Sequence, residues 1–346
     1  KVINTLEGIL ERSPYHPLAL HLYIHAVEAS ADPGRAEDEA DRLANLVPGS
    51  GHLVHMPAHI YWRVGRYDDA AAANITAAKV DEAYIAACNA QGFYPALYYP
   101  HNIHFLWAAA SMSGQSEMAI EAANKVAENV HLEQIEQFST VEFFKTIPIL
   151  SLTRFGKWDA VMAEPQPPEM LDFSNAIWHY ARGVALARTE RLGEAVLERD
   201  KLAAMKDTVQ INFLDASDYP ASKLLSIADD LLQGEIAMAN GMPNTAVTYF
   251  GDAVKAQDEL PYTEPPFWYY PTRQSLGEAL MAADRFADAE AVYRKDLEDY
   301  PRNGWSMYGL VKALTAQGKT EAAAQTQAKL DIVWAKADVD IEGLRL

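Results

Sequence analysis

One short segment of the sequence, GHLVHMPAHIYWRVGRY from Gly51 to Tyr67, contains three histidines. Their spacing of three and four residues places His52, His55 and His59 on one face of an α-helix. Pro57 lies among them and either kinks this helix or begins it. Neutral imidazole is the commonest metal ligand in proteins, and histidines four residues apart can bind Zn, Cu, Ni or Fe together. The segment therefore predicts a helix with a metal-binding face.

Two flanking segments, HPLALHLYIHAVEAS and YYPHNIHFLWAAASMSG, repeat this pattern of histidines. When the three segments are aligned on their closing prolines and turn glycines, seven histidines occupy only three helix positions. Those positions span roughly 60° of a helix, and packed helices lie roughly 8 to 10 Å apart. Glu28 follows His25 by three residues and shares the same face. We therefore predict a shared metal site with the following ligands: His21, His25, Glu28, His52, His55, His59, His101 and His104.

This set of donors leaves the chemistry open. Three histidines with an open fourth position are typical of catalytic zinc, whereas histidine with a carboxylate suits non-haem iron. Seven histidines exceed one coordination sphere, so we expect one or two ions of Zn, Cu or Fe. In a catalytic site a metal-bound water would be the nucleophile and Glu28 the candidate base. No HExxH motif is present, which disfavours a zinc protease of that class.

Two further residues are predicted to bind a ligand at the same groove. Arg63 follows His59 on the same helix, and His16 comes directly before the first helix of the series. Without a metal, the imidazoles and Arg63 could bind a carboxylate or a phosphate group. We therefore predict Arg63 and His16 as ligand-binding residues.

Short turns recur along the whole chain between helical segments. Examples are VGRYDDA at Val64, RFGKWDA at Arg154 and AQGKTEA at Ala316. Pro14 and Pro48 close two units 34 residues apart, and this period resembles the tetratricopeptide repeat (TPR). The resemblance implies an all-α, right-handed solenoid of seven to eight helical hairpins. It also implies that the first helices face a concave groove, which would bind a small molecule or a peptide.

The repeats divide into two predicted domains. Residues 1–135 carry the histidine cluster, and residues 136–346 contain the later repeats. Anchoring the repeat on its closing proline makes residues 1–12 the second helix of a unit whose first helix is missing. Because solenoids need capping repeats at their ends, we expect an upstream segment or another chain to complete this unit.

Composition restricts the partners. The chain has 48 acidic and 29 basic residues and a formal net charge of -19, which repels nucleic acid and anionic membrane surfaces. Cys88 is the single cysteine, so neither a disulfide framework nor a thiolate-rich metal site can form within the chain. The sequence has no run of 18 apolar residues. We expect a soluble protein that binds neither nucleic acid nor membranes.

A narrower resemblance concerns the histidine segments themselves. HLYIHAVEAS, GHLVHMPAHIYWRVGRY and HNIHFLWAAASM resemble a family of large bacterial TPR proteins that share HPG, HxxIHA and HxxHMPxHI motifs. The resemblance covers roughly residues 14–130, and here HPL stands where the family usually has HPG. It implies that the histidines are important, that further repeats lie upstream, and that the protein is periplasmic or secreted. It names no reaction.

Three hypotheses follow from the sequence. The first is a metalloprotein that binds one or two transition-metal ions in its groove and catalyses metal-assisted hydrolysis or oxidation of a small molecule. The second is a non-catalytic scaffold that binds a peptide or protein partner in the same groove. The third is a purely structural role for the histidines, in which alanine at His55 and His59 changes stability alone.

Overall fold

The computed structural model of the chain describes residues 1–90, 92 and 94–342, and this part contains helices and no strands. The first ten helices are α1 (Val2–Arg12), α2 (Pro17–Glu28), α3 (Glu37–Leu43), α4 (Gly51–His55), α5 (Pro57–Arg63), α6 (Tyr67–Cys88), α7 (Tyr99–Met112), α8 (Ser116–Glu128), α9 (Leu132–Gln137) and α10 (Ile147–Arg154). The others are α11 (Trp158–Ala163), α12 (Asp172–Arg188), α13 (Leu192–Met205), α14 (Val209–Ala216), α15 (Ala221–Ala239), α16 (Pro243–Asp258), α17 (Arg273–Ala282), α18 (Phe286–Asp299), α19 (Gly304–Ala316) and α20 (Thr320–Val333). Short 3-10 helices span Pro33–Ala36 and Ser139–Thr146, and a π-helical turn spans Tyr94–Tyr98.

Successive helices pack against each other as hairpins, for example α7 with α8, α12 with α13, and α15 with α16. The predicted all-α solenoid is therefore confirmed. The predicted turns also separate helices as expected. Gly65 and Gly114 take φ values of 78° and 72°, a left-handed conformation that glycine adopts without steric cost. Within the described residues, no helix is long and apolar enough to cross a lipid bilayer.

Pro57 begins a helix instead of interrupting one. It is the first residue of α5, where a missing backbone N–H costs nothing because that donor has no partner in the helix. Met56, between α4 and α5, keeps a helical conformation with φ -49° and ψ -39°. The chain direction therefore continues across the break, and His55 and His59 remain on one face.

The hydrophobic core runs through both predicted domains. A single cluster of buried residues joins Leu20 and Ile103 in the N-terminal repeats to Ile177, Leu232 and Trp268 in the later ones. The boundary at residue 135 stays a prediction, which separates the repeats that carry the histidine cluster from the later repeats. Packing across it brings the later repeats close to the histidines.

The C-terminal repeats fold back onto the N-terminal ones. The indole of Trp305 donates a hydrogen bond to the carbonyl of Ser111 at 2.9 Å, and the backbone N–H of Asp338 donates to the carbonyl of Gly114 at 3.1 Å. The Asp338 carboxylate accepts from the N–H groups of Ser116 and Glu117 at 2.7 and 3.0 Å, at the start of α8. These closing contacts join the C-terminal repeats to the hairpin formed by α7 and α8.

A buried carboxyl in α18 makes stability depend on pH. Burial raises the pKa of Asp296 from 3.8 to about 7, and the hydrogen bond from Ser306 only partly offsets this. Between these two values the folded state keeps a proton that the unfolded state has released, so stability falls as pH rises. As the pH rises from 4 to 8, we expect the free energy of unfolding of Asp296→Asn to increase by about 2 to 4 kcal/mol relative to that of the wild type.

Urea denaturation of both proteins across this pH range measures the difference. Asp288→Asn is the matched control, because it lies on the same helix with a side chain 56% exposed and should shift stability by less than about 0.5 kcal/mol. A wild-type to Asp296→Asn difference that stays constant with pH would contradict a protonated Asp296.

Candidate metal centre

Helices α2, α4–α5 and α7 are the first helices of three successive hairpins, and their histidine faces converge. We call the group His55, His59 and His101 the inner site. The Nε2 atom of His55 lies 2.8 Å from that of His59 and 3.2 Å from that of His101. Tetrahedral zinc with bonds of about 2.0 to 2.1 Å places its ligands about 3.4 Å apart. The inner site therefore has close to the spacing that a bound ion requires.

Asn74 fixes the ring of His55. The Nδ2 group of Asn74 donates to the carbonyl of Ala70 at 2.8 Å, which turns its Oδ1 atom toward Nδ1 of His55 at 2.7 Å. His55 therefore carries its proton on Nδ1 and directs the lone pair of Nε2 into the inner site. Metal-binding histidines characteristically donate their second nitrogen to a partner of this kind.

Two carboxylates hold the opposite side of His59. Its Nδ1 atom lies 2.6 Å from Oε2 of Glu28 and 2.9 Å from Oε2 of Glu264. Burial lowers the pKa of His59, but the two carboxylates outweigh burial and raise that pKa to about 9. Carboxylate support at Nδ1 orients the ring and increases the basicity of Nε2. The same three residues also form a group whose atoms lie within 4.8 Å of one another.

We call the second histidine group, His21, His25 and His52, the outer site. The Nε2 atoms of His21 and His52 lie 3.1 Å apart, and all three rings offer a nitrogen within 4.8 Å of the others. Glu28 connects the two sites, because its Oε1 atom lies 3.0 Å from Nδ1 of His25 while Oε2 faces His59. Through these two histidines the pKa of Glu28 falls to about 2, although burial alone would raise it.

Three further histidines of the two sites, His52, His55 and His101, have lowered pKa values. Burial, together with neighbouring imidazoles, lowers the pKa of His52 to about 4 and places the pKa values of His55 and His101 well below 6.5. A metal ligand has to be deprotonated. These rings therefore offer lone pairs at neutral pH without losing a proton.

His104 does not join either site, contrary to prediction. Its ring stacks on Trp107 at a centroid distance of 5.4 Å and contacts the edges of Phe143 and Phe144. Burial lowers the pKa of His104 to about 3. The neighbouring element on this side is the 3-10 segment at residues 139–146, which supplies aromatic rings instead of further ligands.

The two predicted ligand-binding residues also take other roles. His16 is exposed and caps α2, accepting a hydrogen bond on Nδ1 from the N–H of Ala19 at 3.3 Å. Arg63 donates to the carbonyl of Glu28 at 2.7 Å, and its guanidinium lies 5.4 Å from the ring centroid of Tyr262. Arg63 therefore joins the end of α2 to the segment around Tyr262.

Two residues of the site were missed in the sequence. Asn74 had a usable signal, since it is a polar amide within the alanine-rich run AAAANITAA. Glu264 had none, because it lies in the long connection between α16 and α17 and reaches the site only through folding of the later repeats. Tyr262 donates its hydroxyl proton to Glu264 and so holds this carboxylate in place.

A cavity of about 600 Å³ opens beside the histidines. His59 and His101 of the inner site and the three outer-site histidines form one end, together with Glu264. The rest of the lining is mostly aromatic and aliphatic and comes from segments 140–150 and 263–269 as well as from α12 and α15. An ion at the inner site would therefore face a partly open pocket of the size that drug-sized ligands occupy, about 300 to 1,000 Å³.

Comparison with known proteins identifies the repeat in one part of the chain. Residues 275–336, which include α18 and α19, match the family model of the tetratricopeptide repeat. None of the curated proteins compared with the chain matches it.

Solved structures with similar helical arrays include yeast Tom70, at 12% identity and a TM-score of 0.32 over 98% of this chain and 89% of that chain. The TPR domain of P58(IPK) has 11% sequence identity and a TM-score of 0.28, over 97% of this chain and 91% of that chain. Acl4, an assembly chaperone of RpL4, has 14% sequence identity and a TM-score of 0.30, over 94% of this chain and 98% of that chain. These values are too low to support an argument about function.

Proposed function

We propose that this protein is a metalloprotein that binds a transition-metal ion at the inner site. The observation that carries the proposal is the 2.8 Å approach of the Nε2 atoms of His55 and His59. Two imidazole lone pairs at this distance repel each other unless a proton or a metal ion lies between them. The support of both rings at Nδ1, by Asn74 and by two carboxylates, is the arrangement that metal-binding histidines use.

The donor set narrows the choice of ion. Three imidazole nitrogens with an open position favour zinc or copper, and a carboxylate ligand would extend the choice to iron. The outer site offers three further imidazole nitrogens that could bind a second ion. With zinc at the inner site, bound water would have a pKa of about 7 and would supply a nucleophile near neutral pH, while Glu264 would act through His59, whose Nδ1 atom it approaches. This arrangement supports metal-assisted hydrolysis of a small molecule in the cavity.

Elemental analysis of protein purified without a polyhistidine tag tests metal binding. We expect one or two equivalents of Zn, Cu or Fe per chain, and an anomalous-scattering peak between His55, His59 and His101. Metal-free protein should recover the same content after reconstitution. Protein that contains no metal, and that Zn, Cu, Fe and Mn all fail to load, would rule out the proposal.

Glu264→Gln tests the role of the carboxylate that comes from the later repeats and approaches His59. The amide keeps the size of the side chain but removes the charge that faces His59, so we expect metal affinity to fall about 10- to 100-fold. Titration against a competing chelator measures this change. Glu259→Gln is the matched control, since Glu259 is exposed near the end of α16 and pairs with Lys223. Equal affinities in the two variants would show that Glu264 does not support the ligand.

A scaffold for a peptide or protein partner is the second candidate, and the TPR match at residues 275–336 favours it. This reading predicts partner binding that survives chelators and the loss of His59. The cavity favours the first candidate at the histidines, because segments 140–150 and 263–269 line the same space and leave a pocket of about 600 Å³, which is the size of a small-molecule site.

A further inference from the structure

The cavity beside the inner site has a lining of two kinds. The metal-site histidines and Glu264 form a polar part, which we call the polar end. The apolar wall includes Val141, Phe143, Phe144 and Leu150. No lysine or arginine is among the described residues that line the cavity. A ligand that fills this space must therefore be apolar over most of its surface.

Aromatic rings dominate the apolar wall. The rings of Phe143 and Phe144 lie 4.0 Å apart between centroids, and Tyr219 stacks on Phe143 at 5.7 Å with an interplanar angle of 15°. Phe267 meets Tyr219 edge to face at 5.7 Å. Such a wall presents both ring faces and ring edges, and aromatic ligands gain from both offset-stacked and edge-to-face contacts.

The negative charge near the histidines restricts which polar group of a ligand can bind there. Glu28 and Glu264 both approach His59, and the whole chain has a net charge of -19. The two carboxylates outnumber the single cationic imidazole of His59, so an anionic group would be repelled here unless a bound cation offsets the remaining negative charge. An oxygen group that coordinates the metal satisfies this condition.

We propose that the cavity binds a small aromatic molecule that carries a single metal-coordinating oxygen group, with its ring against Phe143 and Phe144 and its oxygen group at the inner site. The polar end of this proposal rests on the proposed metal function. The apolar end rests on the cavity alone, so the two parts can fail separately.

Two hydroxamates and a neutral fluorophore separate the two ends. Benzohydroxamate and acetohydroxamate share one metal-binding group and differ in the aromatic ring, while 1-aminoanthracene has rings and no strong metal-binding group. We expect 1-aminoanthracene to bind zinc-loaded and metal-free protein alike, with enhanced fluorescence. On the zinc-loaded protein, benzohydroxamate should displace the fluorophore about tenfold more effectively than acetohydroxamate does. Benzohydroxamate should also displace it about tenfold more effectively from the zinc-loaded protein than from the metal-free protein.

Each alternative outcome has a definite meaning. If 1-aminoanthracene binds neither form, the aromatic site is overturned, whatever the metal content. If it binds but benzohydroxamate shows no advantage over acetohydroxamate, the proposed orientation of ring and oxygen group is overturned. If it binds protein that cannot be loaded with metal, the proposed function fails together with the polar end of this inference.

A cavity-filling variant locates the site. Leu150 lines the cavity from α10, so Leu150→Trp should weaken 1-aminoanthracene binding at least about tenfold through loss of space and leave the metal content unchanged. Val209→Trp is the control, because Val209 is 89% exposed and adds the same side chain outside the cavity. If Leu150→Trp does not fold, Phe143→Ala should weaken binding by removing part of the wall. Unchanged binding in a folded variant of either residue would overturn the assignment.

Discussion

Replacement of His59 by alanine is expected to reduce metal affinity by more than about 100-fold. The loss should exceed the 10- to 100-fold effect typical of a partner that only supports a ligand, because His59 supplies Nε2 to the inner site itself. It also removes the ring nitrogen that Glu28 and Glu264 both approach, and so leaves these two carboxylates near each other without their shared partner. Removing one partner of a buried charged group destabilises a protein by about 3 to 5 kcal/mol, so the metal-free variant should also be less stable.

Competitive chelator titration and elemental analysis measure the first effect, and urea denaturation measures the second. His131→Ala is the matched control, because His131 is exposed at the start of α9 and belongs to neither site. The control should keep the wild-type metal content. A His59→Ala protein that retains stoichiometric metal with unchanged affinity would remove the inner site from consideration.

Replacement of Trp305 by alanine is expected to destabilise the protein by about 3 to 5 kcal/mol. Trp305 is 1% exposed, packs edge to face on Trp334 at 5.0 Å, and donates its indole proton to Ser111. The guanidinium of Arg154 lies 3.9 Å from its ring centroid. Arg154 is buried, and burial lowers its pKa to about 10. The substitution therefore removes packing, a hydrogen bond and a cation-π contact together.

Thermal and urea unfolding of the variant provide the measurement. Phe213→Ala is the control, because Phe213 is 57% exposed on α14 and its truncation should change stability by less than about 0.5 kcal/mol. A Trp305→Ala protein as stable as this control would mean that the contact between the C-terminal and N-terminal repeats contributes little.

The local features of this fold were predictable because each depends on a few neighbouring residues. Turn glycines such as Gly65 and Gly114 mark the ends of helices through their backbone conformation. The spacing of His55 and His59 fixes their common face by helix geometry alone. Register between repeats then brought six of the seven predicted histidines into two adjacent groups.

Features that depend on distant packing could not be predicted in the same way. His104 shares a repeat position with His55, yet the aromatic 3-10 segment beside it replaces the ligand-bearing helix that flanks His55. Glu264 belongs to a loop whose position depends on how the solenoid curves back. A periodic pattern gives the position of a residue on its own helix, but not which later segment will cover it.

The closing contacts of Trp305 and Asp338 also bear on how the chain folds. In an open solenoid each repeat touches only its neighbours, so the array can fray from one end and unfold in steps. Here the hydrogen bonds between Asp338 and the start of α8 connect residues 222 and 221 positions apart. Contacts this distant in sequence slow folding. They also couple the last repeat to the third, so we expect the chain to lose its structure in one cooperative transition.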